Sequence, residues 1–318
     1  MTNLKIAIDG ASGFVGTNLV HHFEKGHEVF ALTRNRNNWR LEGSSAELVT
    51  LDITNRNNVF EVIKKIHPDI FIHCAVFGGY HFETDSRKII ETNILGTLNT
   101  VDACSGVSLF INTGSSSEYG LRNEPMKETD DISPNTSYAL TKAIITKFLH
   151  DRKQEAKPKS VTLRLFSAYG YYEEKHRLIP YIVYSAVKGQ KAKLWGKDNV
   201  RDFVFIEDVI KAYELVIQKQ ENLENGEILN VGSGIEYTVE DVAREAGVEV
   251  EWSNSERGEE PKRMWQADIN NIKEKLKWKP ENSLREGLEK TRKWMGENID
   301  FYENEKNDKF ARFKQNGD

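Results

Sequence analysis

Hydroxyl, phenol and ammonium groups occur in two short segments near the middle of the chain. The first, TGSSSEYG at 113–120, places three serines in a row before an acidic and an aromatic residue. The second, SYALTK, separates Tyr138 from Lys142 by four residues, which on a helix puts both side chains on one face. A lysine ammonium close to a phenol favours the phenolate and prepares the tyrosine for proton transfer. The pattern predicts an acid–base site built around Tyr138 and Lys142.

The glycine motif GASGFVG, directly after the first predicted strand, is the candidate cofactor site. Gly10 permits a tight turn, Gly13 lets the backbone approach a pyrophosphate, and Gly16 allows close packing of the following helix. The amino end of that helix then faces the phosphates. Because the motif lies between a predicted strand and a predicted helix, it indicates a dinucleotide site.

The end of the second strand bears on the choice of nucleotide. NAD sites usually place Asp or Glu there, whereas this chain has Thr33, followed by Arg34 and Arg36. Without a carboxylate, a 2′-phosphate is not repelled, and the arginines offer it a partner. The alternative is that both arginines are solvated loop residues. The segment favours NADP(H), with NAD(H) as the alternative.

Short apolar segments alternate with amphipathic helical patterns through the first half of the chain. Repeated strand–helix–strand units of this kind predict an α/β fold with a doubly wound parallel Rossmann sheet and a smaller mixed C-terminal substrate region. We expect residues 1–166 to form the dinucleotide-binding domain, with 200–235 returning to it, and 167–318 to be mainly substrate-binding. The polar tail from Asn298 is expected to fray. The predicted strands are Lys5–Ile8, Glu28–Leu32, Glu47–Leu51, Ile70–Ala75, Leu109–Asn112, Val161–Phe166 and Ile228–Val231.

Composition excludes several classes of function. The 318 residues are 38% hydrophobic and 29% charged, as in globular proteins, and the net charge of −5 argues against a nucleic-acid partner. Cys74 and Cys104 have no metal or redox spacing, so we expect no metal and a reducing cytoplasm. No apolar segment approaches the length of a membrane span, and the first residues have no signal-peptide layout.

Ordered motifs along nearly the whole chain resemble one known family. They are GASGFVG, LDIT, IHCA, TNILGT, SSSEYG, YALTK, RLFSAYG, RDFVFIEDV, LNVGSG and KLKWKPENSLREGL. The chain resembles the extended short-chain dehydrogenases/reductases that act on nucleotide-sugars, among them epimerases, dehydratases and 4-keto-sugar reductases. The resemblance implies a nucleotide-sugar substrate and a homodimer, with helices near Ile94 and Tyr138 pairing across the interface.

The resemblance also assigns roles to individual residues. The family's catalytic hydroxyl lies four residues before the tyrosine of the YG pair, which makes it Ser115, with Tyr138 as acid/base and Lys142 as its tuner. Position 75, where a small residue leaves room for the nicotinamide ribose, and position 52, beside the adenine, complete the nucleotide site. The predicted cofactor-binding set is Gly10, Gly13, Phe14, Val15, Gly16, Thr33, Arg34, Asp52, Ile53, Ala75, Asn93, Thr113, Tyr138 and Lys142.

The substrate side of the resemblance is less regular. Arg201 matches the arginine that grips the substrate pyrophosphate, its alternative being an ion pair with Asp202 or Asp208. A second arginine is Arg257 or Arg263, with the spacing favouring Arg257. Ser167 replaces an asparagine of many relatives, and Tyr171 replaces a proline; Tyr171, Tyr172 and His176 either line the sugar pocket or cap a loop. The predicted substrate-binding set is Ser115, Ser116, Ser167, Arg201 and Arg257.

The segment after Ser115 narrows the reaction. Dehydratases of the family carry an acid two residues before the YG tyrosine, where this chain has Ser117; Glu118 comes one place later and, on an extended backbone, points to the opposite side. GDP-fucose synthase has a cysteine at the position of Ser117, so its double epimerisation is not supported either. Reduction of a 4-keto nucleotide-sugar and 4-epimerisation remain, and Thr33–Arg34 favours the reductase. The intact Tyr–Lys pair argues against a protein that only binds the nucleotide.

Overall fold

The computed structural model describes residues 3–36, 38–152, 158–253 and 264–304. Short strands without a polar face alternate with helices through the first 165 residues, and the strands pair into one parallel sheet. The large sheet contains β1 (Lys5–Ile8), β2 (Glu28–Thr33), β3 (Glu47–Thr50), β4 (Ile70–His73), β5 (Leu109–Ser115), β6 (Lys159–Leu165) and β10 (Glu227–Val231). The smaller strands are β7 (Ser167–Tyr169), β8 (Ala192–Leu194), β9 (Val200–Phe205), β11 (Glu236–Thr238) and β12 (Val250–Trp252).

The order of strands in the large sheet is β10-β6-β5-β4-β1-β2-β3, and all its pairings are parallel. The order reverses between β1 and β4, so the loops that follow these two strands diverge and leave a crevice at their carboxyl ends. Strands β11, β9 and β7 form a second sheet, and β12 pairs with β8. The predicted α/β doubly wound sheet with a smaller mixed region is confirmed.

Helices cover both faces of the large sheet and the smaller sheets. Two large apolar cores result, one with Val20, Ile70 and Leu163 and the other with Val59 and Phe110, and a smaller cluster surrounds Tyr119. The helices are α1 (Phe14–Phe23), α2 (Arg56–Ile66), α3 (Ser86–Ile90), α4 (Thr97–Ala103), α5 (Ser137–Asp151), α6 (Leu178–Lys188), α7 (Ile206–Gln218), α8 (Val239–Glu245), α9 (Asn270–Leu276), α10 (Leu284–Glu297) and α11 (Ile299–Glu303). A π-helical segment, Glu91–Gly96, joins α3 to α4.

Two expectations about element ends are corrected. Strand β5 continues to Ser115 because residues 113–115 pair with β6, which brings the first serine of the motif to the sheet edge. Fraying from Asn298 is wrong for the first turn of the tail, since α11 forms there and buries Tyr302 against Trp39 and Trp294. Among the described helices, none is both long enough and apolar enough to cross a bilayer.

Candidate active site

A cleft of about 1000 Å³ opens at the carboxyl ends of the strands where the sheet order reverses. One wall consists of the loops after β1, β2, β3, β4 and β5 together with Tyr138 and Lys142 of α5, and the other comes from residues between 165 and 203, Val239 and Trp265. Large crevices at this position are where open α/β sheets bind their ligands. Of the predicted site residues that the structure describes, Asn93 is the one that does not line this cleft.

The glycine loop fits a dinucleotide phosphate group. Gly10 has a φ of +58°, and a Cβ there would lie 2.6 Å from the backbone nitrogen of Ala75, so only glycine suits the turn. A Cβ on Gly16 would collide with the carbonyl of Gly10, as expected for close helix packing. Gly13 is the N-cap of α1 and has no side chain to fill the space in front of the first amides of the helix. These amides can therefore receive an anion from the cleft.

Thr33, Arg34 and Arg36, at and after the end of β2, were used to predict the nucleotide, and their side chains have different surroundings. Thr33 is buried, and its hydroxyl contacts Ser12 Oγ at 3.0 Å and donates to the carbonyl of Asn35 at 3.1 Å. Arg34 is exposed and lines the cleft, whereas Arg36 donates to the carbonyl of Leu48. Of the two arginines, Arg34 is therefore the one that faces the cleft.

The adenine-side prediction falls on the loop after β3. Asp52 and Ile53 both line the cleft. The Asp52 carboxylate also accepts from the backbone nitrogen and the hydroxyl of Thr54, which fixes the direction of the chain as it leaves the strand. Asn99 donates to the carbonyl of Ile53 at 3.0 Å and ties this loop to α4.

Ser115 is held by the residues that follow it. A 3₁₀ turn, Ser116–Tyr119, begins directly after β5, and the Ser115 hydroxyl accepts from the backbone nitrogen of Ser117 and contacts its hydroxyl at 2.8 Å. Glu118 accepts from the Ser115 backbone nitrogen at 2.8 Å and from Arg164 Nε at 2.8 Å. The Glu118 side chain points away from the cleft, as predicted, but the cause is this turn and the buried ion pair rather than an extended backbone.

Tyr138 and Lys142 lie one turn apart on α5 and both line the cleft. Lys142 is buried, and its Nζ donates to the carbonyl of Thr113 at 2.7 Å, which links α5 to the end of β5. Asn93, predicted to contact the cofactor, is turned inward instead. Its amide group bonds both backbone groups of Phe77 and the hydroxyl of Thr141, because the π-helical segment directs it beneath the cleft.

Cys74, which follows β4, and Thr113 of β5 lie side by side in the wall of the cleft. The Cys74 thiol contacts the Thr113 hydroxyl at 3.2 Å, and that hydroxyl contacts the phenol of Tyr213 at 2.7 Å. Burial raises the pKa of the Cys74 thiol to about 12, so at neutral pH it is not a thiolate. The described residues include no group of three or more His, Cys, Asp or Glu side chains arranged to hold a metal ion.

On the substrate side, Arg201, Ser116 and Ser167 line the cleft. The Arg201 guanidinium lies 4.8 Å from the centroid of the Trp265 ring, and Trp265 Nε1 donates to Ser116 Oγ at 3.2 Å. The suggested acidic partners are engaged elsewhere. Asp202 accepts from three backbone nitrogens of residues 233, 234 and 267, and Asp208 accepts from those of 281 and 282. Arg257 and Arg263 lie outside the described residues.

Three residues of the loop after β7 were expected either to line the sugar pocket or to cap a loop, and the structure places them differently. His176 lines the cleft. Tyr171 and Tyr172 contact neighbouring helices instead: the Tyr171 phenol donates to Glu207 of α7, and Tyr172, at a φ of +66°, stacks on His21 of α1 and packs against Trp294 of α10. Sequence reasoning missed several other cleft residues, which belong to no local motif: Tyr80, Glu173, Arg177, Lys193 and Trp195.

The fold and the cleft together define an α/β protein built to hold a dinucleotide beside a serine–tyrosine–lysine site. Residues 6–232 match the model of the NAD dependent epimerase/dehydratase family, and the chain belongs to that family. The expected class of enzyme and the resemblance to extended short-chain dehydrogenases/reductases are thereby confirmed.

Relatives of the chain catalyse different reactions. It is 26% identical, over 91% of its length and 97% of the relative, to the UDP-N-acetyl-alpha-D-glucosaminuronate decarboxylase of Bacillus cytotoxicus. Among solved structures, the epimerase Mth375 of Methanothermobacter thermautotrophicus is 26% identical, with a TM-score of 0.84 over 95% of this chain and 94% of that one. The dTDP-glucose 4,6-dehydratase of Bacillus anthracis, solved in complex with NAD, is 22% identical with a TM-score of 0.81 over 94% and 99%.

Proposed function

We propose that the protein reduces the 4-keto group of a nucleotide-sugar, with a 4-keto-6-deoxy sugar as the expected substrate and NADP(H) as the favoured cofactor. One observation carries the proposal. Ser115, Tyr138 and Lys142 line one cleft, while neither position 116 nor 117 is acidic and Glu118 is bonded to Arg164 behind it. This set suffices for hydride exchange at C4 but lacks the carboxyl group that elimination requires.

The roles of the chain's own groups follow from their chemistry. When bound, the nicotinamide supplies the hydride that C4 accepts. Ser115 donates a hydrogen bond to the carbonyl oxygen and holds it, and Tyr138 gives its phenolic proton to that oxygen as the C4–H bond forms. Lys142 stabilises the resulting phenolate until it is reprotonated from solvent. The product is the 4-hydroxy sugar together with NADP⁺.

The same three residues serve the alternative, an NAD-dependent nucleotide-sugar 4-epimerase. An epimerase returns the hydride to the same carbon, so it keeps NAD bound and consumes no reductant. A reductase consumes NADPH in each turnover. The preference of the protein for NADP(H) or NAD(H) therefore distinguishes the two functions. The Bacillus anthracis relative is described with NAD, while the exposed Arg34 and the absence of an acid at position 33 support NADP(H) here. Replacing Arg34 with Ala should weaken NADPH binding by about tenfold or more and leave NADH binding unchanged.

The deciding experiment identifies the nucleotide that copurifies with the protein and follows NADPH oxidation with a panel of 4-keto-6-deoxy nucleotide-sugars. The reductase proposal expects NADPH consumption matched by formation of the 4-hydroxy sugar. Stoichiometric bound NAD with interconversion of two C4 epimers and no NADPH consumption would establish the epimerase. The Tyr138→Phe variant should bind nucleotide normally but lose most turnover, by about 100-fold or more.

We further propose that the enzyme is a homodimer and that residues 1–166, with 200–235, form its cofactor-binding part. Strand β10 joins the large sheet and α7 packs on α1, which supports this division. Support for the dimer comes from apolar side chains on the α3–α5 side that are 41–53% exposed in the single chain: Ile90, Leu95, Leu140 and Ile144. A cytoplasmic location remains a prediction.

A further inference from the structure

Two ionisable side chains that received no predicted role lie beneath the glycine loop. Asp9 and His73 are each only 1% exposed, and His73 Nδ1 lies 2.5 Å from Asp9 Oδ2. The other Asp9 oxygen accepts from the backbone nitrogens of Cys74 and Ala75, at 2.6 and 2.8 Å. The Asp9 side chain thus ties the end of β1, where the glycine loop begins, to Cys74 and Ala75, the two residues that follow β4.

The hydrogen bonds around the ring determine how many protons it carries. The Thr97 hydroxyl donates its single proton to the carbonyl of Asn93 at 2.7 Å, so its contact with His73 Nε2 at 2.8 Å needs a proton on that nitrogen. A further proton lies between Nδ1 and Asp9. The other oxygen of the same carboxyl group accepts from the backbone nitrogens of Cys74 and Ala75, which is the arrangement that a carboxylate facing a protonated ring would have.

The pair is also linked to the proposed catalytic helix through Thr97 and Asn93. Thr97, which contacts His73, donates to the backbone carbonyl of Asn93, and the side-chain amide of Asn93 donates to the hydroxyl of Thr141 at 3.0 Å. Thr141 in turn donates to the carbonyl of Tyr138 at 2.8 Å. The loop that supports the phosphate site and the helix that presents the tyrosine are thus joined through the interior.

Stability of the sheet is a weak reason for such a pair. Backbone hydrogen bonds already hold strands β1 and β4 together. A buried ion pair seldom stabilises a fold more than well-packed apolar side chains would in its place. Position is the stronger reason. The space between Gly10 and Ala75 leaves no room for a Cβ, so a small displacement of either segment would distort the cofactor loop.

We propose that Asp9 and His73 are positioning residues, a buried carboxylate–imidazolium pair that sets the glycine loop against the end of β4 and, through Thr97, fixes the helix bearing Tyr138. The inference rests on the proposed function only in taking this cleft as the nicotinamide nucleotide site. The pair neutralises a carboxylate that would otherwise repel the cofactor's phosphates, and it keeps that carboxylate in its bonding geometry.

The first test is nitrogen NMR of protein labelled at histidine. We expect the His73 ring to carry protons on both nitrogens at neutral pH, with exchange slowed by burial, and Asp9→Asn to convert it to the neutral ring. A singly protonated His73 in the wild-type protein would overturn the proposal. This measurement needs no substrate and no turnover, so it stands apart from the identity of the reaction.

The second test measures binding of the copurifying nicotinamide nucleotide by fluorescence. Asp9→Asn and His73→Gln should each weaken binding by about tenfold or more while the protein remains folded by circular dichroism. The matched control is Asp69→Asn: Asp69 accepts from the Lys5 backbone nitrogen at 2.8 Å, so it bridges the same two strands at their opposite end. It should bind nucleotide like the wild type. Equal binding by all variants, or equal loss in Asp9→Asn and Asp69→Asn, would refute a positioning role.

Discussion

The carboxyl group of Glu173 should make the folded protein less stable as the pH rises. Glu173 lies in the loop before α6 with a side chain only 8% exposed, and its nearest cation, Arg177 Nε, is 3.6 Å away. Its neighbour Glu174 binds Arg40 at 2.9 Å. Burial raises the pKa of Glu173 from 4.5 to about 7; Arg177 lowers it only in part, and Glu174 adds to the rise. The group is therefore protonated in the folded protein at pH values where the unfolded chain has already lost that proton.

The sign and size of the effect follow from this difference. Because the folded state binds more protons between pH 4.5 and 7, the free energy of unfolding falls as the pH rises through that window. At about 1.4 kcal/mol for each pH unit, the full displacement of the Glu173 pKa corresponds to a loss of about 3 kcal/mol. Below the window the carboxyl is neutral in both states and this contribution to stability is intact.

Urea unfolding of the wild type and of Glu173→Gln at pH 5 and pH 8 measures the effect. The glutamine variant cannot ionise, so its stability relative to the wild type should increase by about 3 kcal/mol between the two pH values. Glu42→Gln, which changes an exposed acid, should show a constant difference from the wild type. A Glu173→Gln difference that is likewise independent of pH would mean that the buried carboxyl keeps its ordinary pKa and would refute the reasoning.

Two further predictions concern the glycine loop and the exposed apolar face. Gly10→Ala should destabilise the protein by about 1–3 kcal/mol and abolish nucleotide binding, since its Cβ would meet Ala75; thermal melts should show no comparable loss for Gly26→Ala, which has open space around it. Leu140→Glu should convert the dimer to a monomer in light scattering. Ile235→Glu, at a site 52% exposed and away from that face, should leave the dimer intact; a dimeric Leu140→Glu would contradict the proposed interface.

The parts of the fold that could be predicted are those with local causes. Strands buried on both faces have a continuous apolar sequence, and the glycine motif specifies a turn whose geometry allows no other residue at Gly10. The Tyr138–Lys142 spacing likewise needs only a helix. Each of these features is determined by residues that are close together in the sequence, so it could be predicted without knowing the tertiary packing.

The predictions that failed depended on contacts between distant segments. The inward direction of Asn93 follows from a π-helical segment and from Thr141 on another helix. The choice that the sequence left open for Tyr172 was likewise decided by distant residues, because its ring packs on His21 and Trp294. The pairing of Asp9 with His73 has the same character, because strand order alone brings those residues together.

Most carboxyl groups in the cleft are hydrogen-bonded to other groups of the protein, and this adds to the sequence-based argument against elimination. Within the described lining, Asp9, Asp52 and Glu174 each accept short hydrogen bonds from the protein, and Glu83 accepts from the backbone nitrogen of Gly78. These four carboxyl groups are therefore engaged by donors of the protein itself. Glu173 is the exception: it also lines the cleft, and burial raises its pKa to about 7. The proposed reduction therefore assigns proton transfer at the C4 oxygen to Tyr138, and the turn after Ser115 directs no carboxyl group into the cleft for the second proton transfer that dehydration demands.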